Sequence, residues 1–232
     1  MAEFDVENKK LVVKIVYYGP ALSGKTTNLM QLHDLLNPAG RGELMTFETK
    51  GDRTLFFDLL PMMIHSRGGL KAKIKLFTVP GQVAHDATRK AVLSRADGVV
   101  FVADSQICQG FSNFESFSNL EENANRVGLD FEDLPLVVQF NKRDMEEIVS
   151  EAEVLEKWLP SGLPVTFGSA LYGKGVMETF HRVMRLTYRY LNEGLHLEEE
   201  FSFTENEFLA FAGNSGEGPA EVLSPSMRTT IP

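Results

Sequence analysis

Two periodicities of apolar residues divide this chain into predicted strands and helices. Apolar runs typical of strands cover residues 11–18, 54–65, 72–79, 98–104, 136–141 and 164–167. Apolar residues at helical spacing cover residues 28–36, 111–127 and 175–190. Because strands alternate with helices, we predict an α/β fold with a mostly parallel central sheet and helices on both faces.

Segments rich in glycine, proline and polar residues separate these elements. Residues 37–53 and 80–86 are predicted to be loops, and long loops within compact domains are often functional. Residues 67–69 predict a tight turn between neighbouring strands. The composition changes towards the C-terminus, where most of the net charge of −9 lies. We therefore predict a domain at residues 1–193 and an acidic, partly disordered extension at residues 194–232.

The composition restricts where this chain is expected to act. Its hydrophobic fraction is 43% and its charged fraction is 24%, as in ordinary globular proteins. No apolar run reaches the roughly 20 residues of a membrane helix. The single cysteine, Cys108, cannot form an internal disulfide, and Ala2 excludes N-terminal myristoylation. These features lead us to expect a cytoplasmic protein without a membrane span or lipid anchor. No basic cluster favours nucleic-acid binding, so we expect no nucleic-acid partner.

The segment GPALSGKT at residues 19–26 fits the phosphate-binding pattern G-x-x-x-x-G-K-[ST]. It lies between a predicted strand and a predicted helix, which is the context that this loop requires. Glycines allow backbone amides to surround phosphate oxygens at the positive end of the following helix. Lys25 is expected to reach the β- and γ-phosphates, and the Thr26 hydroxyl to bind Mg²⁺. The loop residues predicted to contact nucleotide are Gly19, Ala21, Leu22, Ser23, Gly24, Lys25, Thr26 and Thr27.

A second motif, NKRD at residues 141–144, follows a predicted strand at the edge where α/β sheets bind ligands. The Asp144 carboxylate is placed to accept from the ring NH and the exocyclic amine of guanine, a donor pair that adenine lacks. Lys142 is expected to cover the base, and a backbone NH of the Ser169-Ala170 pair to reach the guanine carbonyl. The predicted base-binding residues are Asn141, Lys142, Asp144, Ser169 and Ala170.

In order and spacing, these motifs resemble those of Ras-like small GTPases, and more narrowly the MglA-type GTPases of bacterial cell polarity and gliding motility. The matching segments are GPALSGKTTNL, KGDRTLFFDLLP, FTVPGQVAHDATRK, DGVVFVADSQ, QFNKRD and SALYGKGVMET, within roughly residues 9–193. The resemblance implies a Rossmann-like domain that binds GTP or GDP with Mg²⁺ and switches partner binding. It also implies hydrolysis stimulated by a roadblock-fold homodimer of the MglB kind, and recruitment to a cell pole.

The resemblance also assigns roles to four residues in the two predicted loops. Arg53 is implied to be an intrinsic arginine finger, whose planar fork neutralises charge on the transferring phosphoryl group. Thr54 is implied to contact the nucleotide and bind Mg²⁺ when GTP is present. Gly81 is implied to contact the nucleotide, and Gln82 to orient the attacking water.

Two departures from the broad Ras pattern, and one open assignment, leave the reaction undecided. Thr78 stands where most relatives have the aspartate that supports the Mg²⁺ water shell. Ala21 stands where their P-loop has glycine, and its methyl points towards the space of the catalytic glutamine. Arg53 has the alternative role of an ion pair with Asp52 or Asp58. A non-hydrolysing, nucleotide-gated binding module is therefore the alternative to a GTPase, whereas NKRD disfavours a kinase or ATPase.

The C-terminal extension has more aromatic residues than disordered tails usually carry. Its large apolar residues include Phe201, Phe203, Phe208, Leu209 and Phe211. Burial of several such side chains would offset the cost of ordering a short segment. We predict a regulatory or partner-binding segment that docks on the same chain, a second copy or a partner. The alternative is a solubilising tail.

Overall fold

The computed structural model describes residues 2–48, 56–81 and 86–210. The strands in these ranges are β1 (Glu3–Asp5), β2 (Lys10–Tyr18), β3 (Met45–Glu48), β4 (Phe56–His65), β5 (Lys71–Thr78), β6 (Gly98–Asp104), β7 (Leu136–Asn141) and β8 (Val165–Phe167). The α-helices are α1 (Lys25–Leu35), α2 (Asp86–Leu93), α3 (Gly110–Arg126), α4 (Glu151–Trp158), α5 (Val176–Leu195), α6 (Leu197–Phe201) and α7 (Glu205–Leu209).

The strands form one mixed sheet in the order β3-β4-β5-β2-β6-β7-β8, with β1 paired to β2. The five strands β5, β2, β6, β7 and β8 run parallel. The strands β1, β3 and β4 pair antiparallel with their neighbours. Because parallel strands end at a common edge, the loops that follow them converge there. Both sequence motifs lie at this edge.

Helices cover both faces of the sheet, so every residue of β6 and β7 is buried. On one face, α1 and α5 contribute Leu29 and Phe180 to a hydrophobic cluster. On the other face, α2, α3 and α4 contribute Leu93, Leu120 and Val154 to a second cluster. This burial explains the near-continuous apolar runs of the central strands.

The predicted α/β architecture with a mostly parallel sheet is confirmed. Each predicted strand and helix occurs, with ends that differ by a few residues, and the turn at residues 67–69 joins β4 to β5. The longest difference is at α5, which continues to Leu195. Among the helices described, none is long and apolar enough to cross a membrane.

Several of the described elements, among them β1, β3, α2 and α4, are not predicted by the apolar pattern. The first predicted loop contains β3, which is only four residues long and is stabilised by pairing with β4. The helices α2 and α4 are short, and packing on the second cluster stabilises them more than their local pattern indicates. At α4 a local signal is present, since Ser150 and Glu153 form a reciprocal capping box at its start.

Part of the acidic extension packs on the body of the same chain. The helices α6 and α7 lie against α5, and Phe203 and Phe208 are fully buried in the first cluster. This is one of the docking sites that the aromatic content leaves open. Phe211 and the residues after it lie outside the described part, and the domain boundary at residue 193 stays a prediction.

Candidate nucleotide-binding site

The loop between β2 and α1 has the backbone conformation of a phosphate-binding loop. Gly19 (φ 145°), Leu22 (φ 61°) and Gly24 (φ 98°) all have positive φ angles. A Cβ atom at Gly19 would collide with the carbonyl oxygen of Val102, and one at Gly24 with the side-chain amide of Asn141. Glycine is therefore required at both positions for space as well as for conformation.

Lys25 lies at the start of α1 with its ammonium group turned back over this loop. Its Nζ donates to the carbonyl oxygens of Gly19 (3.1 Å) and Pro20 (2.6 Å). Burial lowers the pKa of Lys25 to about 7, an effect that Arg89 increases and Asp58 opposes. An amino group that lies over the loop and donates to its carbonyl oxygens is suited to receive phosphate oxygens.

The Asp58 carboxylate connects the threonine residues on which a magnesium site would depend. Its carboxylate accepts hydrogen bonds from the hydroxyls of Thr26 (2.6 Å), Thr78 (2.9 Å) and Thr46 (2.9 Å). Asp58 lies on β4 and is only 1% exposed. Because β4 pairs with β5, this carboxylate is beside Thr78, where most Ras-like proteins have their own aspartate. The site therefore has a carboxylate, supplied by the neighbouring strand.

The described residues 79–81, which follow β5, touch the P-loop. A Cβ atom at Gly81 would collide with the backbone of Ala21, and the backbone oxygen of Pro20 is also close. The absence of a side chain at Gly81 therefore permits the two loops to contact each other. The methyl of Ala21 is at the surface of this contact, since Ala21 is exposed.

Asn141, at the end of β7, connects the loops after β7 and β8 to the P-loop. Its Nδ2 donates to the carbonyl oxygen of Ser23 (2.8 Å), and its Oδ1 accepts from the backbone NH of Ala170 (2.8 Å). One buried side chain thus holds three loops together. A backbone NH of the Ser169-Ala170 pair is predicted to reach the guanine carbonyl, and in this structure the Ala170 NH donates to Asn141.

The rest of the NKRD motif is held by further polar contacts. Lys142 (φ 66°) donates from Nζ to Asp104 Oδ2 at 2.6 Å, and Asp104 is 3% exposed. The Asp144 carboxylate is exposed and accepts a hydrogen bond from the Ser169 hydroxyl. The exposed carboxylate is available to a base that enters above Lys142.

A buried arginine supports the strand that leads into the P-loop. The Arg89 guanidinium stacks on the ring of Tyr18 at 4.3 Å and donates to Ser116 Oγ at 2.9 Å. Burial lowers the pKa of Arg89. Since Tyr18 directly precedes Gly19, this contact ties α2 to the base of the P-loop.

The structure brings most of the predicted site residues to one edge of the sheet. Those placed there are Gly19, Ala21, Leu22, Ser23, Gly24, Lys25, Thr26, Thr27, Gly81, Asn141, Lys142, Asp144, Ser169 and Ala170. Arg53, Thr54 and Gln82 lie outside the described residues, so their roles stay predictions.

Sequence reasoning misses two carboxylates, Asp58 and Asp104, as members of this site. Asp58 enters it only as a possible partner of Arg53, which lies outside the described residues, and its carboxylate accepts hydrogen bonds from three threonine hydroxyls. A signal was present, because both acids occur within apolar strands, where a buried charge needs partners.

Within the described ranges no group of three or more His, Cys, Asp or Glu could hold a metal. Any cation here would therefore depend on hydroxyl, phosphate and water oxygens as well.

A P-loop and an NKRD motif, at the carboxyl edge of a mostly parallel sheet, define a Ras-like P-loop GTPase. No protein-family model matches the chain. The chain is 41% identical to the mutual gliding-motility protein MglA of Myxococcus xanthus (strain DK1622). The alignment of 194 residues covers 84% of this chain and the whole of that relative. The chain therefore belongs to the MglA family of small GTPases.

Proposed function

We propose that this protein is a molecular switch that binds GTP or GDP with Mg²⁺ and hydrolyses GTP to GDP. The observation that carries the proposal is the Asn141 bridge. Its two hydrogen bonds, to Ser23 and Ala170, hold the phosphate loop and the base loops in one arrangement. A nucleotide would fill this arrangement with its phosphates at the first loop and its base at the others.

At the phosphate end, we assign Lys25 to the β- and γ-phosphates and Thr26 to Mg²⁺. The Asp58 carboxylate, already hydrogen-bonded to Thr26, would accept from metal-bound water and favour the divalent cation. Thr54 would add a second hydroxyl when GTP is bound. This arrangement supplies negative charge that Thr78 by itself lacks.

At the base end, we assign guanine selectivity to Asp144. Its carboxylate accepts from two parallel donors of guanine, whereas adenine would leave it without that pair. Ser169 orients this carboxylate through its hydroxyl, and Lys142 is held in place by Asp104. The guanine carbonyl would share or replace Asn141 as the acceptor of the Ala170 NH.

For hydrolysis, we assign Gln82 to the attacking water and Arg53 to the charge on the transferring phosphoryl group. The alternative function, a nucleotide-gated module that does not hydrolyse, is favoured by Ala21 and by Thr78. Thr78 favours this alternative less strongly than Ala21 does, because Asp58 supplies a carboxylate beside Thr78.

We further propose a role in cell polarity or motility, through partners that distinguish the GTP form from the GDP form. The support is the name of the M. xanthus relative, a mutual gliding-motility protein. The expected activating partner is a roadblock-fold homodimer of the MglB kind, and the expected location is the cytoplasm with recruitment to a cell pole.

The full-length protein, freed of nucleotide with EDTA, tests this proposal. We expect fluorescent GDP to bind in the presence of Mg²⁺ and to be displaced by GTP but not by ATP. Single-turnover GTP hydrolysis should accelerate when the roadblock-fold partner is added. Equal competition by ATP would overturn the guanine assignment, and binding without hydrolysis in the presence of the partner would favour the alternative function.

A further inference from the structure

The residues Leu197–Leu209, here named the C-terminal clamp, pack across α5 through buried apolar side chains. Leu197, Phe203 and Phe208 are fully buried. The hydroxyl of Tyr188 on α5 donates to the Phe203 carbonyl oxygen at 2.7 Å, and its ring lies 5.5 Å from that of Phe208. The clamp is thus part of the hydrophobic core.

Charged contacts fix the clamp at one position on α5. The Glu205 carboxylate accepts from Arg185 Nε at 2.8 Å and from Arg189 Nε at 3.0 Å. Thr204 and Glu207 form a reciprocal capping box at the start of α7. These contacts define a single docked geometry for a helix that is too short to be stable by itself.

The clamp also contacts the turn between β4 and β5. The Glu207 carboxylate accepts from the backbone NH of Arg67 at 3.1 Å. The carbonyl oxygen of Phe201 lies so close to Gly68 that a Cβ atom there would collide with it. The Phe201 ring packs edge-on against Phe4 of β1 at 5.0 Å. The turn is therefore held between the sheet and the clamp.

Strand β4 connects this turn with the candidate magnesium site. The turn follows His65 at one end of β4, and Asp58 lies near the other end, beside Thr26 and Thr78. Between them β4 pairs with β5 at every residue from Leu59 to His65, a length of about 20 Å. A displacement of the turn would therefore act on Asp58 along one continuously paired strand.

We propose that the docked clamp stabilises nucleotide binding, by holding β4 where Asp58 contacts Thr26 and Thr78. Release of the clamp would loosen β4 and weaken the binding of Mg²⁺ and GDP. By thermodynamic reciprocity, bound GDP and Mg²⁺ would strengthen docking of the clamp. A partner that captures the clamp would thereby promote nucleotide release. The inference depends on the proposed GTPase function for its ligand.

The substitution Gly68→Ala in the full-length chain tests this coupling. The new methyl would push the Phe201 carbonyl away without removing any contact at the nucleotide site. We expect fluorescent GDP to leave about fivefold or more faster than from the unchanged protein. Amide hydrogen exchange in residues 197–209 should also become faster. Gly194→Ala is the matched control, because a Cβ atom there meets nothing within 4 Å.

A second variant, Phe208→Ala, removes a fully buried anchor of the clamp, and Phe111→Ala is its control because Phe111 is 76% exposed. If Gly68→Ala fails to fold, this pair decides the question with the same two measurements. Saturating GDP and Mg²⁺ should slow clamp exchange in the unchanged protein. Faster clamp exchange with an unaltered GDP release rate would overturn the coupling alone. Failure of the unchanged protein to bind GDP would overturn the coupling together with the proposed function.

Discussion

The two ends of the candidate site are built in different ways. At the base end, Asn141, Lys142 and Asp144 come from one tetrapeptide, and each has a partner at the same edge of the sheet. At the phosphate end, the central carboxylate is Asp58, which reaches Thr26 and Thr78 from another strand. The composition of the base end depends on the spacing of residues within one motif. That of the phosphate end depends on how β4 pairs with its neighbouring strand.

This difference determines how substitutions at the two ends should behave. A base contact acts on the affinity for guanine nucleotides, because the base does not change during phosphoryl transfer. Substitutions at the phosphate end should alter Mg²⁺ dependence or the transition state as well as affinity. The largest effects are therefore expected from Arg53 and Gln82, the residues assigned to the reaction itself.

Arg53→Ala and Gln82→Ala should each remove most GTP hydrolysis while GDP affinity stays nearly unchanged. Both residues are proposed to act mainly on the transition state. Loss of an arginine finger costs about 10³-fold or more in rate. Single-turnover hydrolysis with the roadblock-fold partner measures the rate, and fluorescent GDP titration measures the affinity. An Arg53→Ala protein that hydrolyses at the normal rate would exclude Arg53 from the reaction.

Asp58→Asn should weaken Mg²⁺-dependent GDP binding by about 10–100-fold, as expected for loss of a group that supports metal ligands. The amide retains the size of the buried side chain but lacks the negative charge that three hydroxyls and Mg²⁺ would share. GDP release rates in Mg²⁺ and in EDTA measure the effect.

The double variant Asp58→Asn with Thr78→Asp is the matched control for this prediction. It returns one carboxylate to the neighbouring strand, in the arrangement of most Ras-like proteins, and should recover much of the Mg²⁺ dependence. If Asp58→Asn alone retains the full difference between Mg²⁺ and EDTA, Asp58 has no part in metal binding.

The position of the NKRD motif was predictable because four consecutive residues follow directly from one strand. Parallel strands end at a common edge of the sheet, so the motif was expected at the edge where the P-loop also lies. The glycine positions 19 and 24 were also predictable, since their φ angles follow from the motif.

The position of Asp58 beside Thr26 and Thr78 was not predictable, because it depends on which strand pairs with β5 and in which register. A shift of one residue would point Asp58 to the other face of the sheet. The docking site of the clamp was not predictable for a similar reason. Its aromatic residues indicated burial, but only tertiary contacts with α5 and the β4–β5 turn place Phe203 and Phe208.

Asp144→Asn should reduce GDP affinity by about 1.5–3 kcal/mol, the usual cost of losing a hydrogen bond to a charged group. The effect should be independent of Mg²⁺, unlike that of Asp58→Asn. Xanthosine diphosphate is a sharp control, because xanthine has a carbonyl where guanine has its amine, and the amide introduced by the substitution would donate to that carbonyl. Unaltered selectivity between the two bases in the variant would contradict the assignment of Asp144.

Ala21→Gly should have the smallest effect, a modest acceleration of GTP hydrolysis with unchanged GDP affinity. The methyl of Ala21 is exposed at the surface where Gly81 contacts the P-loop backbone. Its removal would give Gln82 and Arg53 more room beside the γ-phosphate. Glycine also makes the loop more flexible, at a cost of roughly 0.5–1 kcal/mol, which opposes the gain. We therefore expect a change in barrier below about 1 kcal/mol, or less than about fivefold in rate.

Single-turnover hydrolysis with the partner in excess measures this change in rate, and Ala21→Ser is a control that retains a side chain at this position. A slower reaction in Ala21→Gly would mean that the methyl helps to order the contact between the P-loop and Gly81.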